Sequence, residues 1–132
     1  MLVTPITMTA PDNRQLSLTL GREYEVLGIE GDYYRILSDE EATPYGNDPV
    51  LYEPECFSIT DPREPDFWIC KIGEDGERYC YPPEWSEPGF FEDYHDGKEE
   101  VRSVFWRGVK CYYPKTWLER THNHGTTGNP IT

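Results

Sequence analysis

The sequence predicts an α+β protein that is mainly β, in which a small β-barrel is followed by a β-hairpin and one short helix. Two β-rich patterns, at 23–37 and 49–59, predict the strands of the barrel. A third pattern, at 97–107, has the spacing of apolar side chains that is typical of a helix.

Length sets the domain organisation. A chain of 132 residues suits one domain and can bury a core without a disulfide or a metal ion. We expect residues 1–120 to form a single compact domain, with the barrel in 1–60 and the hairpin, an acidic aromatic loop, the helix and a strand in 61–120. Residues 121–132 are rich in glycine, threonine and asparagine, which predicts a flexible carboxyl-terminal tail.

The first hairpin consists of two β-rich runs around a short loop at 30–32. If Ile29 pairs with Tyr33, strand alternation places one set of side chains on a face that we expect to be core, namely Tyr24, Val26, Tyr34 and Ile36. The other face then carries the charged side chains of Glu23, Glu25 and Arg35.

The pattern at 49–59 predicts a strand, a tight turn at Pro54 and a closing strand. With the first hairpin it resembles an SH3 domain: a leucine and Gly21 precede the second strand, paired aromatics open the third, and Leu51-Tyr52-Glu53-Pro54 matches the turn before the last. The resemblance covers residues 18–60 and implies the topology of an SH3-like barrel. The Ala-Leu-Tyr-Asp-Tyr motif of the peptide groove is absent, and three residues match groove positions only loosely, namely Tyr33, Pro54 and Phe57.

A second hairpin is predicted at 67–81. A three-residue turn at 74–76 places Cys70 opposite Cys80, whereas a two-residue Asp-Gly turn separates them. The sequence has no apolar run of the length of a membrane span and no hydrophobic signal core, so we expect a cytoplasmic chain. Its cysteines are then expected to be reduced and buried, namely Cys56, Cys70, Cys80 and Cys111.

A short pattern of tyrosine, proline and a following ring occurs at 51–57, 79–85 and 110–117. Because proline cannot continue a sheet ladder, each copy predicts a point where a strand leaves its sheet and the next ring folds back. The predicted helix lies between the second and third copies. Asp96 and Glu99 have the spacing of a capping box, Val101, Val104 and Phe105 share one face, and Gly108 is the expected stop.

Charge is distributed unevenly along the chain. Residues 1–100 hold 24 acidic and 7 basic side chains, a formal charge of −17, whereas residues 101–132 hold 1 and 5. A polyanion of this kind repels nucleic acid and anionic membranes and attracts a basic surface over a long range. The charge therefore predicts a basic protein partner and argues against binding to nucleic acid or a membrane.

Two segments combine the features of a contact surface for a basic partner. In 85–100, aromatic rings alternate with carboxylates, so that rings could supply buried area and acids could supply steering. We expect partner contacts there at Trp85, Glu92, Asp93, Tyr94 and Asp96, while Phe90 and Phe91 serve either this surface or the core. A second acidic cluster lies where an SH3 barrel has a variable loop, at Asp39, Glu40 and Glu41.

Motifs of catalysis and cofactor binding are not found. The sequence has no glycine-rich phosphate loop, nucleophile elbow, His-Glu-x-x-His or Cys-x-x-Cys motif, and we expect neither an enzyme nor a cofactor. His95 lies between two acids and is the one candidate base, although a surface role fits it better. His122 and His124, with Cys111, are weak metal-ligand candidates because they lie in the expected tail.

A small, acidic, aromatic-rich α+β protein with an SH3-like part resembles the immunity proteins that bacteria keep against polymorphic toxins. The resemblance is one of type, and it implies a protein-binding inhibitor that binds and neutralises a cognate basic toxin domain. Two alternatives remain open. One is an acidic nucleic-acid mimic that inhibits a DNA- or RNA-binding enzyme, and the other is an SH3-like regulatory domain that binds an extended peptide around Tyr33 and Phe57.

Overall fold

A computed structural model describes the backbone of residues 1–43 and 46–125 and the side chains of residues 1–40 and 47–120. Eight strands precede three helices along this part of the chain. The strands are β1 (Leu2–Pro5), β2 (Tyr24–Glu25), β3 (Gly28–Glu30), β4 (Tyr33–Thr43), β5 (Gly46–Tyr52), β6 (Phe57–Asp61), β7 (Ile69–Ile72) and β8 (Arg78–Tyr81). The helices are α1 (Phe90–His95), α2 (Glu99–Tyr112) and α3 (Pro114–Gly125).

The strands form two antiparallel sheets, with the orders β2-β1-β6 and β5-β4-β3-β8-β7. Strands β2 and β3 are separated by only Val26 and Leu27 yet belong to different sheets, so the chain bends there from one sheet to the other. The first six strands therefore build a small two-sheet unit, to which β7 and β8 add a hairpin. The predicted fold class, α+β and mainly β, is confirmed.

The register predicted for the first hairpin is wrong by one residue. Ile29 lies opposite Tyr34 and Glu30 opposite Tyr33, so the loop has two residues rather than three. Both loop residues have positive φ, 59° at Gly31 and 70° at Asp32, as the two-residue hairpin turn that fits the twist of the strands requires. The predicted core face is nevertheless confirmed, because its four side chains lie in one buried cluster: Tyr24, Val26, Tyr34 and Ile36.

The five-stranded sheet is covered on both faces. One core cluster contains Ile29, Tyr34 and Ile36. A second contains Leu37 from the same strand, together with Tyr81 and aromatic side chains from α1 and α2. The face that was expected to carry exposed charge is therefore buried as well, and Arg35 is only 4% exposed. Since the helices supply this second layer, the strand pattern alone could not show it.

The second hairpin has the three-residue turn. Cys70 lies opposite Cys80, and the amide of Gly73 donates to the carbonyl of Glu77 across the turn at 74–76. The two sulfurs form a disulfide, which corrects the expectation that all four cysteines are reduced. The other two are free thiols, Cys56 buried and Cys111 exposed.

The helical part is longer than the sequence predicted. Helix α2 begins at Glu99 after Lys98, whose side chain makes no capping hydrogen bond, and Asp96 instead ends α1, so the predicted capping box is not formed. Helix α2 also continues through Gly108, the expected stop, because its buried face continues from Phe105 to Val109.

Helix α3 extends into the expected tail. Residues 121–125 continue this helix, and residues 126–132 lie outside the described part of the chain. At the first two tyrosine-proline patterns the chain leaves a strand, β5 or β8, and enters a 3-10 helix, at Pro54–Cys56 or Pro83–Trp85, so these strands end where predicted. The third pattern instead joins α2 to α3. Within the described residues, no helix has the length and apolar character needed to cross a membrane.

Candidate functional site

The two aromatic residues predicted to contact a partner are core residues. Trp85 is 1% exposed and Tyr94 is fully buried. The Trp85 indole stacks on Phe105, with 4.5 Å between ring centroids, and the Tyr94 hydroxyl accepts a hydrogen bond of 3.0 Å from the Trp106 indole. The expectation that these two rings face a partner is therefore corrected, because α2 covers them.

The acids of the same segment lie outside. Helix α1 turns Phe90, Phe91 and Tyr94 into the core, which leaves its acidic side chains on the opposite face. Glu92 is exposed, as is Asp96 just after the helix, and Asp93 is half-buried, with a 3.1 Å ion pair to Lys98. The structure thus places the acids of this segment at or near the surface and its rings in the core.

A cavity of about 290 Å³ lies between the segment 86–92 and the β7–β8 hairpin. Its aromatic wall consists of Tyr79, Tyr81, Phe90 and Phe91, and three carboxylates belong to its lining, those of Glu30, Glu87 and Glu92. We call this cavity the acidic groove. Lys71 is the one basic residue among those that line it. Of the predicted contact residues, Trp85 and Glu92 lie in this lining.

One wall of the acidic groove is fixed by a buried arginine. The Arg35 guanidinium donates to the Glu30 carboxylate (2.8 Å) and to the Tyr81 hydroxyl (2.9 Å), and that hydroxyl donates in turn to Glu30 (2.8 Å). The guanidinium also lies 4.0 Å from the centroid of the Phe91 ring. Burial raises the pKa of Tyr81, so this phenol stays a neutral donor near pH 7. Glu30 is thereby held in a fixed position.

The second predicted cluster has a structural role at one position. The Asp39 carboxylate accepts hydrogen bonds from the hydroxyls of Tyr24 and Thr19 and forms ion pairs with Arg22 (3.2 Å) and Arg120 (3.1 Å). It therefore ties α3 to the two-sheet unit and is not free to bind a partner. Of its neighbours, Glu40 is exposed, and the side chain of Glu41 lies outside the described residues.

Most of the basic side chains are already neutralised within the chain. Among the side chains that the structure describes, eight of the twelve lysines and arginines form ion pairs with carboxylates: Arg14, Arg22, Arg35, Arg63, Arg78, Lys98, Lys115 and Arg120. The surplus of acidic groups therefore has few cations of its own to pair with. This surplus gives the surface a negative field that acts on other molecules.

One group of possible metal ligands comes together in the described part of the chain, namely Glu64, Cys70 and Cys80. The two sulfurs are bonded to each other, and Arg78 donates to Glu64 through both terminal nitrogens, at 2.9 and 2.7 Å. One of these nitrogens also lies 3.3 Å from the Cys80 sulfur. In this state the group already surrounds a guanidinium, and it offers no thiolate for a metal ion.

The other candidates from the sequence, two aromatic residues and the histidines, are not among the residues that line the acidic groove. Tyr33 is 44% exposed, whereas Phe57 is 7% exposed and its ring packs against those of Tyr34 and Tyr52, so this pair does not form an open aromatic groove. His95 is exposed beside Tyr94. The side chains of His122 and His124 lie outside the described residues.

Sequence reasoning missed five of the residues named above for the acidic groove, namely Glu30, Lys71, Tyr79, Tyr81 and Glu87. Glu87 belongs to the acidic run that had been singled out and could have been included. The others come from strands, and only the packing of the segment 86–92 against the β7–β8 hairpin brings them to the same cavity.

No protein-family model, curated protein or solved structure matches this chain. The site is therefore interpreted from its own geometry and charge.

Proposed function

We propose that this chain is a protein-binding inhibitor, and specifically an immunity protein that binds and neutralises a basic toxin domain. The observation that supports this proposal is the acidic groove, in which an aromatic wall is combined with the carboxylates of Glu30, Glu87 and Glu92. It lies on a chain whose net charge is −13 and whose cations are mostly paired internally.

The groove combines the two contributions that a tight contact with a basic protein needs. The Tyr79 ring, which is 37% exposed, offers apolar area that a partner's aliphatic side chain covers, while Glu87 and Glu92 bind cationic groups at the edge of that contact. The volume of about 290 Å³ lies at the lower limit for a small-molecule site and suits one or two protein side chains. Because Arg35 already holds Glu30, little ordering is required on binding.

Neutralisation follows from charge. A toxin that acts on an anionic substrate such as nucleic acid carries a basic surface around its active site. A strongly acidic protein is attracted to that surface, and once bound it excludes the substrate both sterically and by like-charge repulsion.

The test uses the product of the adjacent upstream gene in the native host. Both proteins are produced together, and their association is measured at low salt and at about 0.5 M salt, where the screening length is only a few ångströms. Growth of cells that express the neighbouring gene, with and without this chain, measures neutralisation. A complex that survives the higher salt and restores growth supports the proposal.

Charge-reversal variants locate the interface. Glu87→Lys combined with Glu92→Lys changes the acidic groove, and Glu55→Lys combined with Asp66→Lys makes the same change of charge at exposed positions outside it. We expect the groove variant to weaken association at least about tenfold, or about 1.4 kcal/mol, and the matched control to have a much smaller effect. Equal effects of the two variants, together with loss of the complex at high salt and competition by nucleic acid, would support the nucleic-acid mimic instead.

A further inference from the structure

We propose that a second cavity, beside β4 and β5, is a receptor for the guanidinium group of an arginine side chain. This inference rests on the proposed function, since the basic partner is the source of that arginine. The cavity has a volume of about 160 Å³, and the residues that matter in its lining are Arg14, Ser38, Glu40, Asp48 and Tyr52. None of these residues lines the acidic groove.

Two buried polar atoms of this lining have no hydrogen-bond partner. They are the hydroxyl oxygen of Tyr52, whose side chain is only 3% exposed, and the Oδ1 atom of Asp48. Buried polar groups are nearly always hydrogen-bonded, because an unmade hydrogen bond in the interior is unfavourable. Two such atoms in the lining of one cavity indicate a place where an external group completes the hydrogen bonding.

The lining contains two carboxylates, those of Glu40 and Asp48, and one cation, Arg14, together with the polar side chains of Gln15, Ser17 and Ser38. The Ser38 hydroxyl already donates to the carbonyl of Glu40 (3.1 Å), and the Arg14 guanidinium is bound by Glu53 (2.8 Å). The one cation of the lining is thus already paired with a carboxylate outside it, and the carboxylates of Glu40 and Asp48 leave the cavity with an excess of negative charge. A group that fits this cavity must bring both hydrogen-bond donors and positive charge.

The environment of Tyr52 supports a cationic occupant. Burial is the main cause that raises the pKa of this phenol, and the negative charge of Asp39 raises it further, while Arg14 and Glu40 act in opposite directions. The hydroxyl thus lies in a negative field and stays neutral, so that it can accept a hydrogen bond from a cation.

Among biological cations, guanidinium fits these demands better than ammonium. It presents five N–H donors in one plane and is more weakly hydrated, so it loses less when it enters a buried site. The cavity volume of about 160 Å³ is several times the ~30 Å³ that one water molecule occupies in the liquid, which leaves room for the planar group and its adjoining methylene.

The probe for the experiment is arginine with both backbone ends blocked, added to the ¹⁵N-labelled full chain and followed by NMR. We expect saturable shifts of the backbone amides of Ser38, Asp48 and Tyr52, with a dissociation constant on the order of millimolar. Blocked citrulline has nearly the same shape without the charge, and we expect it to bind at least about tenfold more weakly. Blocked lysine is expected to lie between the two.

Variants connect the shifts to the cavity. Tyr52→Phe removes one unpartnered hydroxyl and leaves the ring packing intact, so it is expected to fold and to bind arginine several-fold more weakly. Asp48→Asn is expected to weaken arginine binding at least about tenfold, because it removes the charge. Tyr33→Phe, a change at an exposed ring outside the lining, serves as the matched control and should leave the titration unchanged.

The outcomes separate this inference from the proposed function. An absence of saturable shifts, or equal binding of arginine and citrulline, overturns the inference and indicates a cavity filled by water alone. If arginine binds here but the neighbouring gene product does not associate with the chain, the proposed function fails while the receptor site stands. If that product binds wild type and Asp48→Asn equally, the function stands and the site has no part in it.

Discussion

Gly108 of α2 lies directly against the indole of Trp85. A Cβ atom at position 108 would lie 2.6 Å from Cζ2 and 2.7 Å from Nε1 of that ring, closer than non-bonded atoms approach. Trp85 is 1% exposed and is stacked between other rings, so it cannot move aside. A glycine inside a helix costs stability by itself, and here the cost is offset by the close packing of the helix on the second core cluster.

We expect Gly108→Ala to destabilise the protein. Overpacking of a core typically costs about 1–3 kcal/mol, while alanine gains back about 1 kcal/mol of helix propensity, which leaves a net loss of up to about 2 kcal/mol. Urea unfolding measures this change. Ser103→Ala, at an exposed position of the same helix, is the control and should be neutral or slightly stabilising. A Gly108→Ala protein more stable than wild type would contradict the packing described here.

The second prediction compares two neighbouring tyrosines. The Tyr113 hydroxyl donates to the carbonyl of Leu27 (2.7 Å) and accepts from the indole of Trp68 (2.8 Å), all in the interior. Tyr113→Phe leaves both partners buried and unsatisfied, so we expect a loss of about 2–4 kcal/mol in the free energy of unfolding. Tyr112→Phe removes only an exposed hydrogen bond to Glu84 and should cost less than about 0.5 kcal/mol. Similar losses in the two variants would contradict this assignment.

The third prediction concerns the ion pair that joins α3 to β4. The Arg120 side chain is 8% exposed, and burial lowers its pKa although the nearby Asp39 carboxylate acts in the opposite direction. Asp39→Ala leaves that guanidinium buried without its counter-ion, which typically costs about 3–5 kcal/mol. Asp93→Ala breaks the exposed pair with Lys98 and should cost at most about 1 kcal/mol. Thermal unfolding of both variants decides whether Asp39 is structural.

The fourth prediction is a loss of stability at alkaline pH. Burial raises the pKa of Tyr52, Tyr81 and Tyr113 in the folded protein. In the unfolded chain these phenols ionise near their ordinary pKa of about 10. The stability that they contribute is therefore complete below about pH 10 and is lost as the pH rises above it. Exposed phenols need no unfolding to ionise, so only the last part of the rise in tyrosinate absorbance should coincide with the change in circular dichroism. Ionisation of all ten tyrosines without loss of structure would contradict the burial of these three groups.

The fifth prediction concerns the disulfide of the second hairpin. Cys70 and Cys80 are 10 positions apart, and closing a loop of that length in the unfolded chain is worth about 2–3 kcal/mol by the chain-entropy estimate. Treatment with a thiol reductant should lower the free energy of unfolding by that amount. A Cys70→Ser and Cys80→Ser double variant should be insensitive to the reductant, whereas Cys111→Ser, at an exposed free thiol, should respond like wild type.

The elements that the sequence predicted best are those whose conformation is set by residues close together in the chain. The strand, 3-10 helix and closing strand at 46–61 follow from proline at position 54, and the three-residue turn that places Cys70 opposite Cys80 was one of two registers derived from the residues. The register predicted for the first hairpin is wrong because its loop has two residues, Gly31 and Asp32, both with positive φ, whereas a loop of three residues was expected. Asparagine or glycine is the usual signal for that turn, and aspartate at its second position is a weaker one.

The sequence indicated the exposure of the acidic side chains of the segment 85–100, but not the burial of its aromatic rings. Acidic side chains are stable in water, so the outward placement of Glu92 and Asp96 followed from their chemistry. A tryptophan or tyrosine suits a core and an interface equally well, so the burial of Trp85 and Tyr94 could not be decided before α2 was placed over them.

By itself, the sequence determined the α+β class, the hairpins, the first core face and the excess of negative charge, because these depend on local spacing and composition. Only the tertiary structure decided that the second face of β4 is covered, that Arg35 and Arg120 are buried, and that Gly108 lies inside a helix. Each of these depends on which distant element packs against a given face. This packing is determined by the shapes and volumes of side chains far apart in the chain, and it cannot be derived from the pattern of neighbouring residues.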